Sequence, residues 1–532
     1  MAVTRTQVAQ PQTGDSPPEL RILTNKRLQY LAMGIVAVVG VALRFAALDE
    51  LGVNSDEAVY SGQAASLAGI ERFLDDFSPF RAHPLLFQFT LSLLYRLVGF
   101  TDVGGRIVAA CFGLLTVAAT FAVGQRIFSK RIGLLGALAV AVMPYHVVVS
   151  RQALLEAAMT LFFTLTMYAL VRYREIRTAG AAAFVGIASG LTFMSKEVGI
   201  LVLVILAVVV LVEGGYRVSH LAIGLVAFIF TVSPHLVASG IGAVESEAGG
   251  AGWVQYLIWQ LGRPPNHPGS FYLSNALHYF GLPLALLAII GGVLLTRTAR
   301  RNGSHNLLIA WVLVPLLFFQ VWKVKGYHYI VEIAPAVAIL AALVLDWLWT
   351  HRRLMFRRSS VVLGVVAFTA MIWISAVNGP LEQNYARVGD AGYSGIPGGK
   401  EAALWIRDNT PEGARLLGIG PSLGNIVRFY ADADVDALSV SPNPVRTNPA
   451  YEAVSNPDYQ LRWGLYDYIV YDVYSAQRTA HFANRLLDFI GRYGGELVYE
   501  DTSIRIGEDG EPFSAPIIRI YRLKPVGQGA GA

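Results

Sequence analysis

Apolar residues in this chain gather into long unbroken runs, separated by short polar stretches. The runs cover roughly residues 28–48, 104–126, 132–149, 153–171, 180–194, 198–213, 219–238, 276–295, 306–322, 328–349 and 359–377. Runs of this order match the roughly 20 residues needed to cross ~30 Å of hydrocarbon as a helix. The pattern predicts a polytopic α-helical membrane protein with about eleven transmembrane helices plus juxtamembrane helices. Segment 84–99 is short for a crossing, begins at Pro84 and contains Gln88 and Arg96. It reads as a helix lying in the interface.

Past residue 378 the long runs stop, and Gly, Asp, Asn and Pro rise. Residues 379–399 read as a linker, and 400–532 as a compact α/β domain. Within it, Glu401–Asn409 and Ser475–Tyr493 read as helices. Leu416–Ile419, Tyr468–Val473, Glu496–Glu500 and Ile517–Leu523 read as strands. Gly418-Ile419-Gly420-Pro421-Ser422-Leu423-Gly424 follows a strand but lacks Rossmann or Walker spacing, and Pro421 removes a backbone donor. It reads as a strand-to-helix turn.

Composition agrees with membrane residence. The chain is 54% hydrophobic and 15% charged, where a soluble protein carries about 25% charged residues. Residues 1–27 form a polar tail ending in Arg21, Lys26 and Arg27, and the first apolar run reads as a retained anchor rather than a signal peptide. Cys111, the only cysteine, excludes an intramolecular disulfide and a cysteine-based metal site. The net charge of +5 comes from basic residues at run ends, so nucleic acid is not indicated as a partner. With 84–99 left out of the crossings, four basic segments fall on one side together with the N-terminus: Arg126–Arg131, Arg172–Arg177, Arg297–Arg301 and Arg352–Arg358. The positive-inside rule makes that side cytoplasmic. The expected localisation is the plasma membrane, with a cytoplasmic N-terminus, a membrane domain over 28–378 and an extracytoplasmic C-terminal domain.

The unusual polar residues then share the outer face. Asp56 and Glu57 follow Ser55, the expected helix N-cap, and the macrodipole alone favours acids there. A carboxylate at a loop mouth, near water but shielded from it, also suits a general base. Arg106, Lys323, Lys325, His328 and Tyr329 lie at outer run ends, where cations call for an anionic partner, and a lipid phosphate suits them. Arg151 and Glu156 flank the start of the fourth run, so Glu156 is expected to face a cavity or a cation. Lys196 and Glu197 either pair with each other or belong to the site. Arg263 lies in the long outer loop with His267, and His235 stands at that loop's start. Neither histidine has metal-ligand spacing, so a divalent metal is possible but unsupported and no cofactor is assigned.

Four stretches resemble the GT-C superfamily, the protein O-mannosyltransferases and bacterial relatives that move sugars from polyprenyl phosphate. They are Asp56-Glu57 with Tyr60, His83-Pro84-Leu85-Leu86, Arg106 opening the next run, and Ser150-Arg151 to Glu156. The resemblance implies an inverting transfer of a monosaccharide from a polyprenyl-phosphate donor, with Asp56 as base and Glu57 orienting the acceptor or tuning its neighbour. It implies that Arg106, Lys323, Lys325, His328, Tyr329, Arg263 and Lys196 bind the donor phosphate. Tyr60, His83, Arg151 and Glu156 would bind substrate. Membrane lipid and a protein, lipid or polysaccharide acceptor are the implied partners. The chain departs from the aminoarabinose transferases of the superfamily. Ala82-His83-Pro84 stands near their Glu-Lys-Pro and Glu156 stands for an Asp, which weakens any transfer of their metal site. A transporter or flippase of lipid-linked sugars is the alternative, but no internal repeat is visible and the charges cluster at one face.

Overall fold

The computed structural model describes residues 26–49, 52–79, 83–245, 252–298, 303–350, 354–378, 395–443, 446–448, 450–506 and 511–524. Most of the expected tail 1–27 and of the expected linker 379–399 lies outside these residues. Every apolar run is helical, as α1 (Lys26–Phe45), α4 (Gly104–Ile127), α5 (Lys130–Val142), α6 (Pro144–Val149), α7 (Leu155–Ile176), α8 (Ala179–Ser195), α9 (Leu201–Glu213), α10 (Val218–Glu245), α12 (Phe271–Phe280), α13 (Leu282–Thr298), α14 (Gly303–Val321), α15 (Ala334–Thr350) and α16 (Leu354–Trp373). The loop between the first two runs adds α2 (Ser55–Ala68) and α3 (Leu86–Val98), and the long loop adds α11 (Gly252–Gly262).

By length and composition, six of the described helices can cross a bilayer: α1, α4, α7, the first part of α10, the segment Tyr327–Thr350 and the segment Met355–Ala376. A seventh is added if α12 and α13 count as one span bent by 109°. The expected runs are therefore helical, but several are cut. Pro144, with no N–H to continue the ladder, separates α5 from α6. Gly281, at φ +79, separates α12 from α13, and a Cβ there would meet the Met371 sulfur. α3 has 13 residues, about 20 Å of helix, too short for ~30 Å of hydrocarbon.

Burial separates centre from rim. α15 is buried on nearly every face, which explains why it is apolar all round. α1, α10 and α16 expose Leu31, Val38, Leu225, Phe230, Val361 and Val365, the surface expected to meet lipid.

The C-terminal domain is a five-stranded sheet in the order β2-β1-β3-β5-β4. Its strands are β1 (Leu416–Gly418), β2 (Val435–Ala437), β3 (Tyr468–Asp472), β4 (Glu496–Ile506) and β5 (Pro512–Arg522). β1 runs parallel to β2 and β3, and β5 is antiparallel to β3 and β4. Helices α17 (Gly399–Asn409), α18 (Pro421–Ala431), α19 (Pro457–Arg462), α20 (Val473–Arg478) and α21 (Ala480–Arg492) complete it. The single helix expected over Ser475–Tyr493 is thus two, broken at Thr479. Asp472 caps α20 by accepting from Ser475 N at 2.6 Å.

This domain sits on the loop that carries α2. Phe429 packs among Phe73, Phe77 and Phe100, while Arg72 donates to Phe429 O at 2.7 Å. Lys400 pairs with Asp102 at 2.8 Å. Val53 bridges Ile396, and the approach needs Gly395, whose φ of +84 places it where a Cβ would overlap Val53 O.

Candidate active site

Between the helical bundle and the C-terminal domain lies a cavity of about 1410 Å³. Of the residues singled out above, it is lined by Asp56, Tyr60, His83, Lys196, Glu197, Arg263, His267, His235, Lys325, His328 and Tyr329. Glu57, Arg106, Arg151, Glu156 and Lys323 do not line it.

The helix start explains how neighbouring acids separate. The N-cap is Asn54, one residue earlier than expected. Its Oδ1 accepts from Asp56 N at 2.9 Å, and Glu57 Oε1 accepts from Asn54 N at 3.0 Å, a reciprocal capping box. Glu57 then turns inward. It accepts from Arg106 Nε at 2.9 Å, Arg106 Nη2 at 3.1 Å and Ala153 N at 2.8 Å. With both oxygens occupied and only 3% of its surface exposed, Glu57 is an anchor and not a group that can reach an acceptor. Asp56 lies about 100° away around the helix and faces the cavity. Among the described residues no hydrogen bond or ion pair of the Asp56 carboxylate is found, although its charge is felt by Tyr60, Tyr327 and His328.

The expected phosphate-binding set is reduced in the same way. Arg106 also donates to Leu48 O at 2.6 Å and Gly52 O at 2.8 Å, so its guanidinium is spent on tying α4 to the loop before α2. Lys325 gives its ammonium to the carbonyls of Phe319, Gln320 and Trp322 at 3.1, 2.9 and 2.7 Å. Those are three donors to three acceptors at the end of α14, which leaves none for a ligand. Lys323 is exposed outside the cavity. Two cations of the bundle remain. Lys196 ends α8, pairs with Glu156, and lies 4.9 Å from the Tyr329 ring centre. Burial disfavours its charge, but Glu156 and Tyr329 hold its pKa above the ordinary lysine value. Arg263 stacks over Trp259 at 4.8 Å and donates to Gln260 at 3.2 Å.

Glu156 therefore supports Lys196 from behind, together with His328, whose Nε2 is 3.3 Å away. Arg151 is a staple, donating to Leu43 O at 2.8 Å and Ala47 O at 3.2 Å at the end of α1. Lys196 and Glu197 do not pair with each other. Glu197 Oε2, a carboxylate oxygen, accepts from His83 Nδ1 across 2.7 Å. Burial opposes its ionisation, yet His83 and Lys196 hold its carboxyl down to about 2. His83 also sits edge-on to Tyr60 and Tyr256. Among the described residues no three His, Cys, Asp or Glu side chains gather in a way that could hold a metal.

Several participants escaped the sequence reading. Tyr256, Trp259, Arg446, Tyr451, Tyr474 and Arg478 line the cavity but sit in segments with no motif, and Tyr327, which also lines it, adjoins the singled-out His328. Arg44 and Glu332 are buried, and each is an ionisable group inside an apolar run, the one signal that could have flagged them. Arg44 donates to Ala141 O at 2.9 Å and lies 2.8 Å from His146 Nδ1.

Residues 82–237 match the dolichyl-phosphate-mannose-protein mannosyltransferase family. An undecaprenyl phosphate-alpha-4-amino-4-deoxy-L-arabinose arabinosyl transferase of Aeromonas salmonicida is 26% identical over 231 residues, 39% of this chain and 40% of that enzyme. One from Sodalis glossinidius is 34% identical over 193 residues, 33% of this chain and 32% of that enzyme. The matched region thus spans less than half the length of these relatives. Among solved structures, ArnT from Cupriavidus metallidurans bound to undecaprenyl phosphate superposes with a TM-score of 0.66 at 16% identity, covering 93% of this chain and 98% of that one. The Archaeoglobus fulgidus oligosaccharyltransferase superposes at 0.61 and 13% identity, covering 93% and 75%. These likenesses establish a shared fold.

Proposed function

We propose that this chain, which has the GT-C fold of membrane glycosyltransferases, moves one monosaccharide from a polyprenyl-phosphate donor to an acceptor hydroxyl with inversion at the anomeric carbon. Residues 28–378 would form the catalytic membrane domain, in the plasma membrane with the N-terminus cytoplasmic. The domain beginning near residue 400 and the reaction would lie on the extracytoplasmic side, the side opposite the basic clusters when eleven runs cross. The observation that carries the reading is the Asp56 carboxylate, which faces the same cavity as Lys196 and Arg263.

The chemistry follows from that placement. Asp56 takes the proton of the acceptor hydroxyl as its oxygen bonds to the anomeric carbon. The bond from that carbon to the phosphate oxygen breaks on the opposite face, and the lipid leaves as polyprenyl phosphate. Its developing charge falls to Lys196 and Arg263, pre-placed cations that need no reorganisation when the bond breaks. Lys196 is fixed by Glu156, and Arg263 by Trp259 and Gln260. Tyr60 and the His83–Glu197 pair border the remaining space and would hold the sugar or the incoming acceptor.

The test is reconstitution of the full chain in lipid nanodiscs with a panel of undecaprenyl-phosphate monosaccharides and cell-envelope extract as acceptor. The expected result is one undecaprenyl phosphate released per sugar transferred, with the product of opposite anomeric configuration. Passage of intact lipid-linked sugar across proteoliposomes without cleavage would favour the flippase instead.

A further inference from the structure

The cavity has a second wall that the transfer chemistry does not use. It comes from the C-terminal domain and includes Ser439, Arg446, Thr447, Tyr451, Tyr474 and Arg478. We infer that this wall is an anion-binding subsite that holds a phosphate or carboxylate group of the acceptor while the acceptor's hydroxyl is offered to Asp56. The inference rests on the transferase reading above and adds the chemical class of the acceptor.

Charge is distributed unevenly around the cavity. Among the described residues, the carboxylates that line it are Asp56 and Glu197, both of the membrane domain. Among the described residues, the lining supplied by residues 421–478 has two guanidiniums and no carboxylate. An acceptor with a negative group would be repelled from Asp56 and drawn to that wall, leaving its neutral hydroxyl nearest the base. Guanidinium forks suit phosphate and carboxylate oxygens, and the hydroxyl of Ser439 is a further polar group on the same wall.

Part of the wall is also pre-organised. Arg478 lies over the Tyr474 ring at 4.3 Å, and both residues are on α20, whose start is fixed by the Asp472 cap. A buried amide ties wall and base together. Asn425 Nδ2 donates to Ser55 Oγ at 3.0 Å and to Tyr451 OH at 2.8 Å. Ser55 adjoins Asp56, so a ligand placed against Tyr451 is placed relative to the base. The donor phosphate has its own cations, Lys196 and Arg263, both on the membrane domain where its lipid tail must lie.

The experiment measures binding to the full chain in nanodiscs of three probes: a neutral disaccharide, the same disaccharide phosphorylated, and one with a uronic acid replacing a hexose. A charge-assisted contact predicts that at least one charged probe binds roughly tenfold or more tightly than the neutral one. The Arg446→Gln/Arg478→Gln variant should lose that preference while its affinity for undecaprenyl phosphate stays within about twofold of wild type. Which charged probe wins distinguishes a phosphorylated from a carboxylated acceptor. Equal binding of charged and neutral probes by the wild type would overturn the inference, as would a preference that survives in the variant. Loss of undecaprenyl phosphate binding in the variant would assign the arginines to the donor and overturn it as well. If the wild type shows the charge preference but cleaves no lipid-linked sugar, the transferase reading fails and the anion site does not.

Discussion

Asp56 and Glu57 are adjacent in sequence and chemically alike, yet the helix turn between them sends one to the cavity and the other to Arg106. Glu57 and Arg106 form a bidentate pair with both side chains about 5% exposed, so removing either charge strands the other. Glu57→Gln is expected to destabilise the fold by about 3–5 kcal/mol, read as a marked fall in melting temperature. An unchanged melting temperature would mean that the pair does not hold α2 in place. The acid pair itself is legible in the sequence as a feature at a loop mouth. Its division of labour is not, because the partners that claim Glu57, Arg106 and Ala153 N, lie 49 and 96 residues further on. The same holds for Lys325. Its cation is visible in the sequence, but the three carbonyls that saturate it depend on how α14 ends.

At the scale of elements, hydrophobic runs report helices well because lipid and core both demand apolar side chains. They report breaks poorly. Pro144 and Gly281 interrupt runs that look continuous in composition, and β2, at Val435–Ala437, is too short and too rich in Asp to stand out. The start of α20 has a physical signature in the Asp472 cap. Burial pushes the Asp472 carboxyl up to about 6, despite the lowering effect of its hydrogen bond with Ser475. Its unfolded-state value is about 3.9. A folded-state pKa above the unfolded one means that this group's contribution is fully present below about pH 4 and is lost as pH rises through about 6. Asp472→Asn keeps a cap that does not titrate. Its stability relative to wild type should therefore rise between pH 4 and pH 7, by roughly 2–3 kcal/mol at most. The measurement is the difference in melting temperature across that range. A difference that does not vary with pH would show that Asp472 is not a strained buried carboxylate.

On the scale of the whole molecule, the cavity draws residues from position 54 to position 478, and among the described residues the C-terminal domain, packed on the α2 loop, supplies one of its walls. That is why the membrane half of the site was visible as motifs and the other half was not. Arg446 and Arg478 sit in polar stretches where any arginine is unremarkable. The proposed sidedness can be checked with Arg462→Cys in a Cys111→Ala background, since Arg462 is exposed on the C-terminal domain. A membrane-impermeant maleimide should label it in intact cells, and labelling only after lysis would invert the topology. The central claim is that the cavity-facing carboxylate removes the acceptor proton. It is tested most directly by the single-turnover rate at which the Asp56→Asn variant transfers sugar from a labelled undecaprenyl-phosphate donor to the acceptor. Because Asp56 takes no part in the Glu57–Arg106 pair, the variant should keep the wild-type melting temperature and lose roughly 10²–10⁴-fold in rate. Transfer at the wild-type rate by the folded variant would contradict the account.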